Sequence, residues 1–307
     1  MTELDLISWL RKRSPMKTET VSVGIGDDAA VLAWPGDERL VITTDMLLEG
    51  TCFLPEHGWR RIGRKALAVN LSDLAAMAAE PVAAVVSLAI PRTMSLEALK
   101  ECYEGMFSLA DEFSVAIVGG DTNSWNGPLA INITACGRVN GQGPVLRRGA
   151  QAGDWLFVTG SLGGSILGKH LDFVPRIREA RRLVQTVRVH AMIDLSDGLA
   201  RDLHQLCQES QCGAVIYADQ VPVSAEAKML QDGRTPLLHA LSDGEDFELL
   251  FAVSPEDGAN LLRDQPLQDL GTSLYHIGIC IRDGIYIRYE NGRQESLPPL
   301  GYLHEFG

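Results

Sequence analysis

Seven aspartates carry the chemistry that this sequence could perform. Asp27 and Asp28 sit in "GIGDDAAVL" (24–32), Asp45 closes "RLVITTD" (39–45), and Asp73 lies among Leu71, Leu74 and Ala75. Asp121 follows "AIVGG", and Asp194 and Asp197 fall in "AMIDLSDG". Several of them stand just past apolar runs, where a carboxylate is costly unless something positive holds it. The local basic residues, Arg60, Arg61, Arg64 and Lys65, come two or three helical turns before Asp73 and are too few to pair every acid. Hard divalent cations are the natural alternative, because Mg²⁺ prefers oxygen ligands and often bridges carboxylate to phosphate. Hydroxyls that are also hard ligands accompany the acids: Thr43, Thr44, Ser72, Thr122 and Ser196. Taken singly, each aspartate reads as a turn or cap residue, and "SDG" at 196–198 is a common turn sequence. Taken together they read as several metals around a polyphosphate.

Competing chemistries fare worse. "GGSILGKH" (163–170) nearly fits the phosphate-binding G-x-x-x-x-G-K-[ST], but His170 replaces the hydroxyl that would ligate Mg²⁺. A sharp glycine turn from strand to helix accounts for it more simply. There is no HExxH, no CxxC pair and no GxSxG elbow. The seven histidines are spread thinly and read mostly as surface residues.

Elements that could position the acids alternate along the chain. "RLVITTD" reads as a strand, 59–81 as a long Ala-rich helix stopped by Pro81, and 82–90 as a buried strand. A helix over 95–113 with Ser95 as N-cap follows, then strands at 114–121 and 128–139. The Gly-rich polar stretch 140–155 divides the chain into an N-terminal domain, 1–145, and a C-terminal α/β domain, 146–307. The second half reads as strand, Gly-rich turn and helix over 155–171. A short strand and amphipathic helix over 188–210 come next, with strands at 212–218, 247–253, 273–280 and 284–289. The fold class expected is α/β, with two domains of similar size. The ends of its strands are where open α/β sheets place ligands.

Bulk properties agree. The 307 residues are 46% hydrophobic and 22% charged, enough for a real core. A net charge of -13 argues against nucleic acid or an anionic membrane as partner, yet metals let an acidic site take an anionic ligand. No apolar stretch approaches the roughly 20 residues of a membrane helix. "MTELDLISWL" is unlike a signal peptide, and the six cysteines read as reduced thiols of a cytoplasmic protein.

In this order, "GIGDDAAVL", "TTDMLLEG", "KALAVNLSDLAAMAAEP", "VGGDT", "IDLSDGLARDL" and "SDGEDFELLF" resemble the motif series of the thiamine-monophosphate kinase family. That family lies within the superfamily of aminoimidazole-ribonucleotide synthetase and selenophosphate synthetase. The resemblance runs from about residue 3 to "GYLHEF", and "GEDFELLF" separates this family from its superfamily relatives. It implies a two-domain, α+β-like synthetase fold, metal binding, ATP binding and dimerisation as the roles of 1–145, and a homodimer paired through N-terminal sheets. It implies ATP-dependent conversion of thiamine monophosphate to thiamine diphosphate, the last step of that biosynthesis, with several Mg²⁺ ions. The acceptor is a phosphate oxygen already ionised at pH 7, so no catalytic side chain is expected beyond positioning and charge neutralisation. Carried over by motif, Asp27, Asp28, Thr43, Thr44, Asp45, Asp73, Asp121, Asp194 and Asp197 resemble metal ligands. Gly120, Asp121, Arg147 and Ser196 resemble ATP contacts, and Cys52, Glu245 and Phe306 resemble substrate contacts. Two departures stand out. "EGTCF" has Cys52 where the family has His, and the segment after the Gly-rich turn is shortened, with Lys169-His170 and Pro175-Arg176 as remnants.

Overall fold

The computed structural model describes residues 20–34, 38–141 and 143–303. Phe306 and "MTELDLISWL" lie outside the described residues. The first half builds a six-stranded sheet from β1 (Val21–Val23), β2 (Ala30–Ala33), β3 (Arg39–Leu48), β4 (Glu80–Pro91), β5 (Ala116–Trp125) and β6 (Ala130–Val139). The strand order is β1-β2-β3-β6-β4-β5, and only β4 and β5 pair in parallel. Helices α1 (Trp59–Ala76) and α2 (Leu96–Phe113) accompany it.

The second half builds a seven-stranded sheet from β7 (Trp155–Thr159), β8 (Val189–Asp194), β9 (Gly213–Tyr217), β10 (Leu249–Val253), β11 (Leu274–Ile281), β12 (Ile285–Arg288) and β13 (Gln294–Ser296). Its order is β13-β12-β9-β11-β7-β10-β8, antiparallel except for β9 with β12. The helices here are α3 (Lys169–Asp172), α4 (Ile177–Thr186), α5 (Leu199–Ser210), α6 (Ala225–Met229), α7 (Pro236–Ser242) and α8 (Pro255–Asp264). The dominance of antiparallel pairing makes the architecture α+β-like, so strand C-termini are not the common ligand edge. Asp45 and Asp121 lie inside β3 and β5 rather than at their ends.

Local chemistry explains most boundaries. The Ser95 hydroxyl accepts the Ala98 N–H and starts α2 as expected. The helix expected over 59–81 ends at Ala76, five residues early. Ala78 adopts a left-handed φ of 53°, and Pro81 stands inside β4 beside a register shift, where its missing N–H is tolerated. After the Gly-rich turn only a short 3-10 turn (Ser165–Leu167) and the single turn α3 form. Gly163, Gly164 and Gly168 all take positive φ there.

The long helix α1 is the axis of the molecule. It packs on α2, on β3 and β6 of the first sheet, and on β8 of the second. One core joins Ile62, Leu67, Leu71 and Leu74 of α1 to Ile131 and Ile133 of β6 and to Met192 and Phe251 of the second sheet. A second core fills the other face of the second sheet, around Leu156, Leu203 and Leu250. No helix among the described residues is long and apolar enough to cross a membrane.

Helices α1 and α2 meet backbone to backbone. A Cβ on Gly63 would lie 1.8 Å from the Cys102 carbonyl oxygen, and one on Gly105 would lie 1.8 Å from that of Arg60. Gly105→Ala should therefore separate the two helices and destabilise the fold by about 1–3 kcal/mol or more, read from urea unfolding. An unchanged midpoint would contradict this close approach.

Candidate active site

Three elements converge on one acidic point. Asp28 lies just before β2, Asp73 on α1, and Asp194 at the end of β8; their carboxylate oxygens lie within 4.8 Å of one another. Strand alternation puts Thr43 and Asp45 of β3 on the same face, and the Thr43 hydroxyl donates to Asp73. Ser72 donates to Asp194 at 2.6 Å. Arg147 binds Asp28 with both arms of its fork, at 3.0 Å through Nε and 2.8 Å through NH2, while NH1 reaches Gln205 of α5 at 2.8 Å. Asp27 accepts the Arg147 N–H at 3.1 Å. Around this point opens a cleft of about 510 Å³, also bordered by Cys52, Lys65, Ser196, Asp197, Glu245 and Tyr302.

The electrostatics follow from crowding. Burial, then the neighbouring Asp28, pushes Asp27 up to about 7. Burial pushes Asp45 up to about 6. Asp73 is raised well above the carboxylate range by burial and by Asp45, Asp194 and Asp28. Asp194 is raised in the same way by burial and Asp28. For Arg147, burial alone would lower the pKa, but Asp28, Asp27 and Asp194 outweigh it and hold the guanidinium charged. Among the described residues one arginine faces five acids, which leaves room for protons or an added cation to supply the balance. A cluster of hard carboxylate oxygens with hydroxyls beside them is the donor set that Mg²⁺ takes.

At the other end of the cleft, Lys65 is fully buried and pairs with Glu245 at 2.5 Å, donating also to the Cys52 carbonyl at 2.7 Å. Glu245 and Phe247 hold left-handed φ values of 52° and 49°. Their loop is pinned by Glu245 N–H to Ser196 O at 2.7 Å and Phe247 N–H to Leu195 O at 2.8 Å. Beneath it, the resemblance of 163–170 to a phosphate loop dissolves. Gly163 N–H donates to Asp246, Gly164 N–H donates to Asp243, and Lys169 pairs with Glu248 at 2.9 Å, so the turn binds the chain's own anions. Arg176 is likewise committed to Glu248, at 2.7 Å.

Comparison with known proteins agrees with this geometry. The family model described as AIR synthase related protein, N-terminal domain, matches residues 26–139, and its C-terminal counterpart matches 151–285. A thiamine-monophosphate kinase of Rhodopirellula baltica is 44% identical, over 98% of this chain and 97% of its own length. The chain belongs to the thiamine-monophosphate kinase family. The enzyme of that name from Escherichia coli K12 is 36% identical over 98% of each chain. The solved structure of AaThiL complexed with AMPPCP and TMP superposes with a TM-score of 0.85 at 27% identity, covering 99% of this chain and 97% of its own.

The cleft gathers most of the residues that the family motifs single out: Asp28, Thr43, Thr44, Asp45, Cys52, Asp73, Arg147, Asp194, Ser196, Asp197 and Glu245 border it, with Asp27 adjoining through Arg147. Others stand apart. The Thr44 hydroxyl faces the opposite side of β3, bonded to Thr134 at 2.9 Å and the Ile133 carbonyl at 3.1 Å, because side chains alternate along a strand. Gly120 and Asp121 sit on the exposed edge strand β5. Asp121 pairs with Ser87, which pairs with Asn132, which pairs with Met46. That puts Asp121 three interstrand spacings, about 14 Å, from the β3 row. Gly120 is needed for packing, since a Cβ there would lie 1.8 Å from the Val86 carbonyl oxygen.

Sequence reading missed Lys65, Tyr302 and Gln205. Lys65, Val69 and Asp73 recur every four residues, so one helix face carries all three to the cleft, and that spacing was the available signal. The histidines also differ from expectation: among the described residues none is exposed, and His239 is fully buried between Asp232 and Asp243.

Because Asp45 keeps its proton in the fold when the unfolded chain has lost it, folding takes up protons between about pH 4 and 6. The metal-free protein then loses this group's contribution as pH rises through that window. Asp45→Asn should gain stability relative to the parent from pH 4 to 7 in EDTA, and Mg²⁺ should abolish the gain. Urea midpoints at several pH values check this, and a pH-independent difference would contradict it.

Proposed function

We infer that this chain transfers the γ-phosphoryl group of ATP to thiamine monophosphate, giving ADP and thiamine diphosphate, the last step of thiamine diphosphate biosynthesis. The observation that carries the reading is the close trio Asp28, Asp73 and Asp194 in a cleft that the Lys65–Glu245 pair also borders. A phosphate oxygen of the acceptor bonds to the γ-phosphorus in line with the departing ADP oxygen, which leaves with its electron pair. Both reacting groups are anions, so the chain's work is to hold and orient them, and no side chain is assigned as base.

Asp28, Asp45, Asp73 and Asp194, with the Thr43 hydroxyl, are the ligands we assign to Mg²⁺, with Asp27 and Asp197 as flanking carboxylates. Bound there, Mg²⁺ supplies neutralisation of phosphate charge. Arg147 spends three of its five N–H donors on Asp28 and Gln205, which leaves two for a nucleotide phosphate. Ser196 borders the same part of the cleft. We assign Gly120 and Asp121 to the nucleotide on the family motif alone; Asp121 lies in register with Met46, on the face of the sheet away from α1. Cys52 and Glu245 are assigned to the substrate. Glu245 suits the cationic thiazolium, and Phe306, with Tyr302 on the same closing segment, offers an aromatic face for the rings. The assignment divides the chain into 1–145 and 146–307, a border that lies between the two matched family models.

Two further parts of the reading rest on surface and thiols. The face of the first sheet away from α1 is bare: Met46, Val85 and Val118 are 60%, 38% and 65% exposed. A second copy pairing sheet on sheet would cover it, making a homodimer. The six cysteines are free, which supports a reducing, cytoplasmic setting.

Incubation of the protein with Mg²⁺, ATP and thiamine monophosphate should yield thiamine diphosphate. A folded, ATP-binding protein that forms none would overturn the kinase reading. Asp73→Asn and Asp45→Asn should each lower turnover about 10²-fold or more while leaving the fold intact by circular dichroism. Near-normal turnover in both would sink the metal assignment. Separately, Val85→Asp should convert a dimer to a monomer in sedimentation, and an unchanged mass would remove the sheet-paired dimer.

A further inference from the structure

Three thiols meet at the C-terminal end of α5. Cys207 lies in the last turn of α5, Cys212 two residues beyond its end, and Cys280 on β11. The helix stops at Gln211, whose φ of 55° is left-handed, and the Cys212 N–H donates to the Cys207 carbonyl at 3.0 Å. This six-to-one closure sets the side chains of residues 207 and 212 against each other across the helix end. Pairing of β9 with β11 puts Cys280 opposite Ala214, two residues along from Cys212. The helix-end closure and the strand register thus bring residues 207, 212 and 280 together. Cys207 and Cys280 are 1% exposed, whereas Cys212 is half-buried and is the member of the trio that a small solute reaches. Among the described residues the three sulfurs do not form a group close enough to share one ion, as the acidic trio does.

We propose that Cys212 is a peroxide-reactive thiol and that Cys207 closes a disulfide onto it. The Cys212 thiolate sulfur attacks one oxygen of hydrogen peroxide. The O–O bond breaks, hydroxide leaves and takes a proton as water, and Cys212 becomes a sulfenic acid. The Cys207 sulfur then bonds to the Cys212 sulfur, the S–OH bond breaks, and the hydroxyl leaves as a second water with the Cys207 proton. Two thiols are oxidised and one peroxide is reduced. The two neighbouring S–H donors favour the thiolate at Cys212 and hold its pKa below the usual thiol range, which supports its role as the attacking sulfur. Cys207, donating to Cys212 and buried, is raised and stays protonated.

The test is a titration of the full chain with hydrogen peroxide near stoichiometric amounts, followed by alkylation and peptide mapping. The expected result is loss of two of the six free thiols as a Cys207–Cys212 disulfide that a dithiol reductant reverses. In Cys207→Ser, dimedone should trap Cys212 as the sulfenic acid. Oxidation of Cys52 or Cys136 ahead of Cys212 would overturn the proposal, and a Cys212–Cys280 bond would overturn Cys207 as the closing thiol. The mapping on the unsubstituted chain stands whether or not the variant folds, and whether or not the chain phosphorylates thiamine monophosphate.

Discussion

Everything at the cleft depends on the mutual repulsion of carboxylates that the fold forces together. Asp27, Asp28, Asp45, Asp73 and Asp194 come from β2, β3, α1, β8 and their flanking turns, and among the described residues a single guanidinium, that of Arg147, binds into the group. Burial removes water that would otherwise screen the charges, so the shortfall in positive charge is felt in full. The raised pKa values of Asp27, Asp45, Asp73 and Asp194 are the same shortfall seen through protons. A site in that condition is poised to exchange protons for a divalent cation, and the affinity for metal and the instability without it have one origin.

The scaffold tolerates this because its two sheets grip one helix. Helix α1 carries Lys65, Val69 and Asp73 along one face to the cleft, while Ile62, Leu67, Leu71 and Leu74 fill the shared core. The apolar faces fix the helix, and the fixed helix brings Asp73 against Asp28 and Asp194 whatever their charges prefer. The glycine contact between α1 and α2 serves the same end, since it sets the depth at which α1 lies. Opposite, the left-handed backbone at Glu245 and Phe247 is strain held in place by hydrogen bonds from both residues to the 195–196 segment.

Much of this was legible in the sequence, and the exceptions have physical causes. Strand and helix positions followed from periodicity, because each element has one buried face. The acid set was legible because carboxylates beside apolar runs demand a partner. Pro81 looks like a helix stop in the sequence, but a proline at a register shift in a strand costs little, and α1 ends before it. Thr43 and Thr44 both border the cleft, and the two-residue period of the strand turns the Thr44 hydroxyl to the other face. The distance of Asp121 from the other acids is not legible from its motif, because strand order is a tertiary property, and β6 and β4 intervene between β3 and β5. Lys65 was lost among the neighbouring arginines, although Arg61 pairs at the surface with Asp172 while Lys65 is buried.

The ion pairs also show how the chain divides its positive charge. Removing Arg147 would leave Asp28 buried without its partner, and removing Glu245 would leave Lys65 buried without its own, so neither pair is easily given up. Arg147 nevertheless differs from Lys65, because its planar fork binds Asp28 along one edge and keeps further donors on another. A lysine at position 147 would have to choose between Asp28 and a phosphate. An arginine does not, and this is the physical reason for an arginine at a point where a permanent internal anion and a transient external one must be held together.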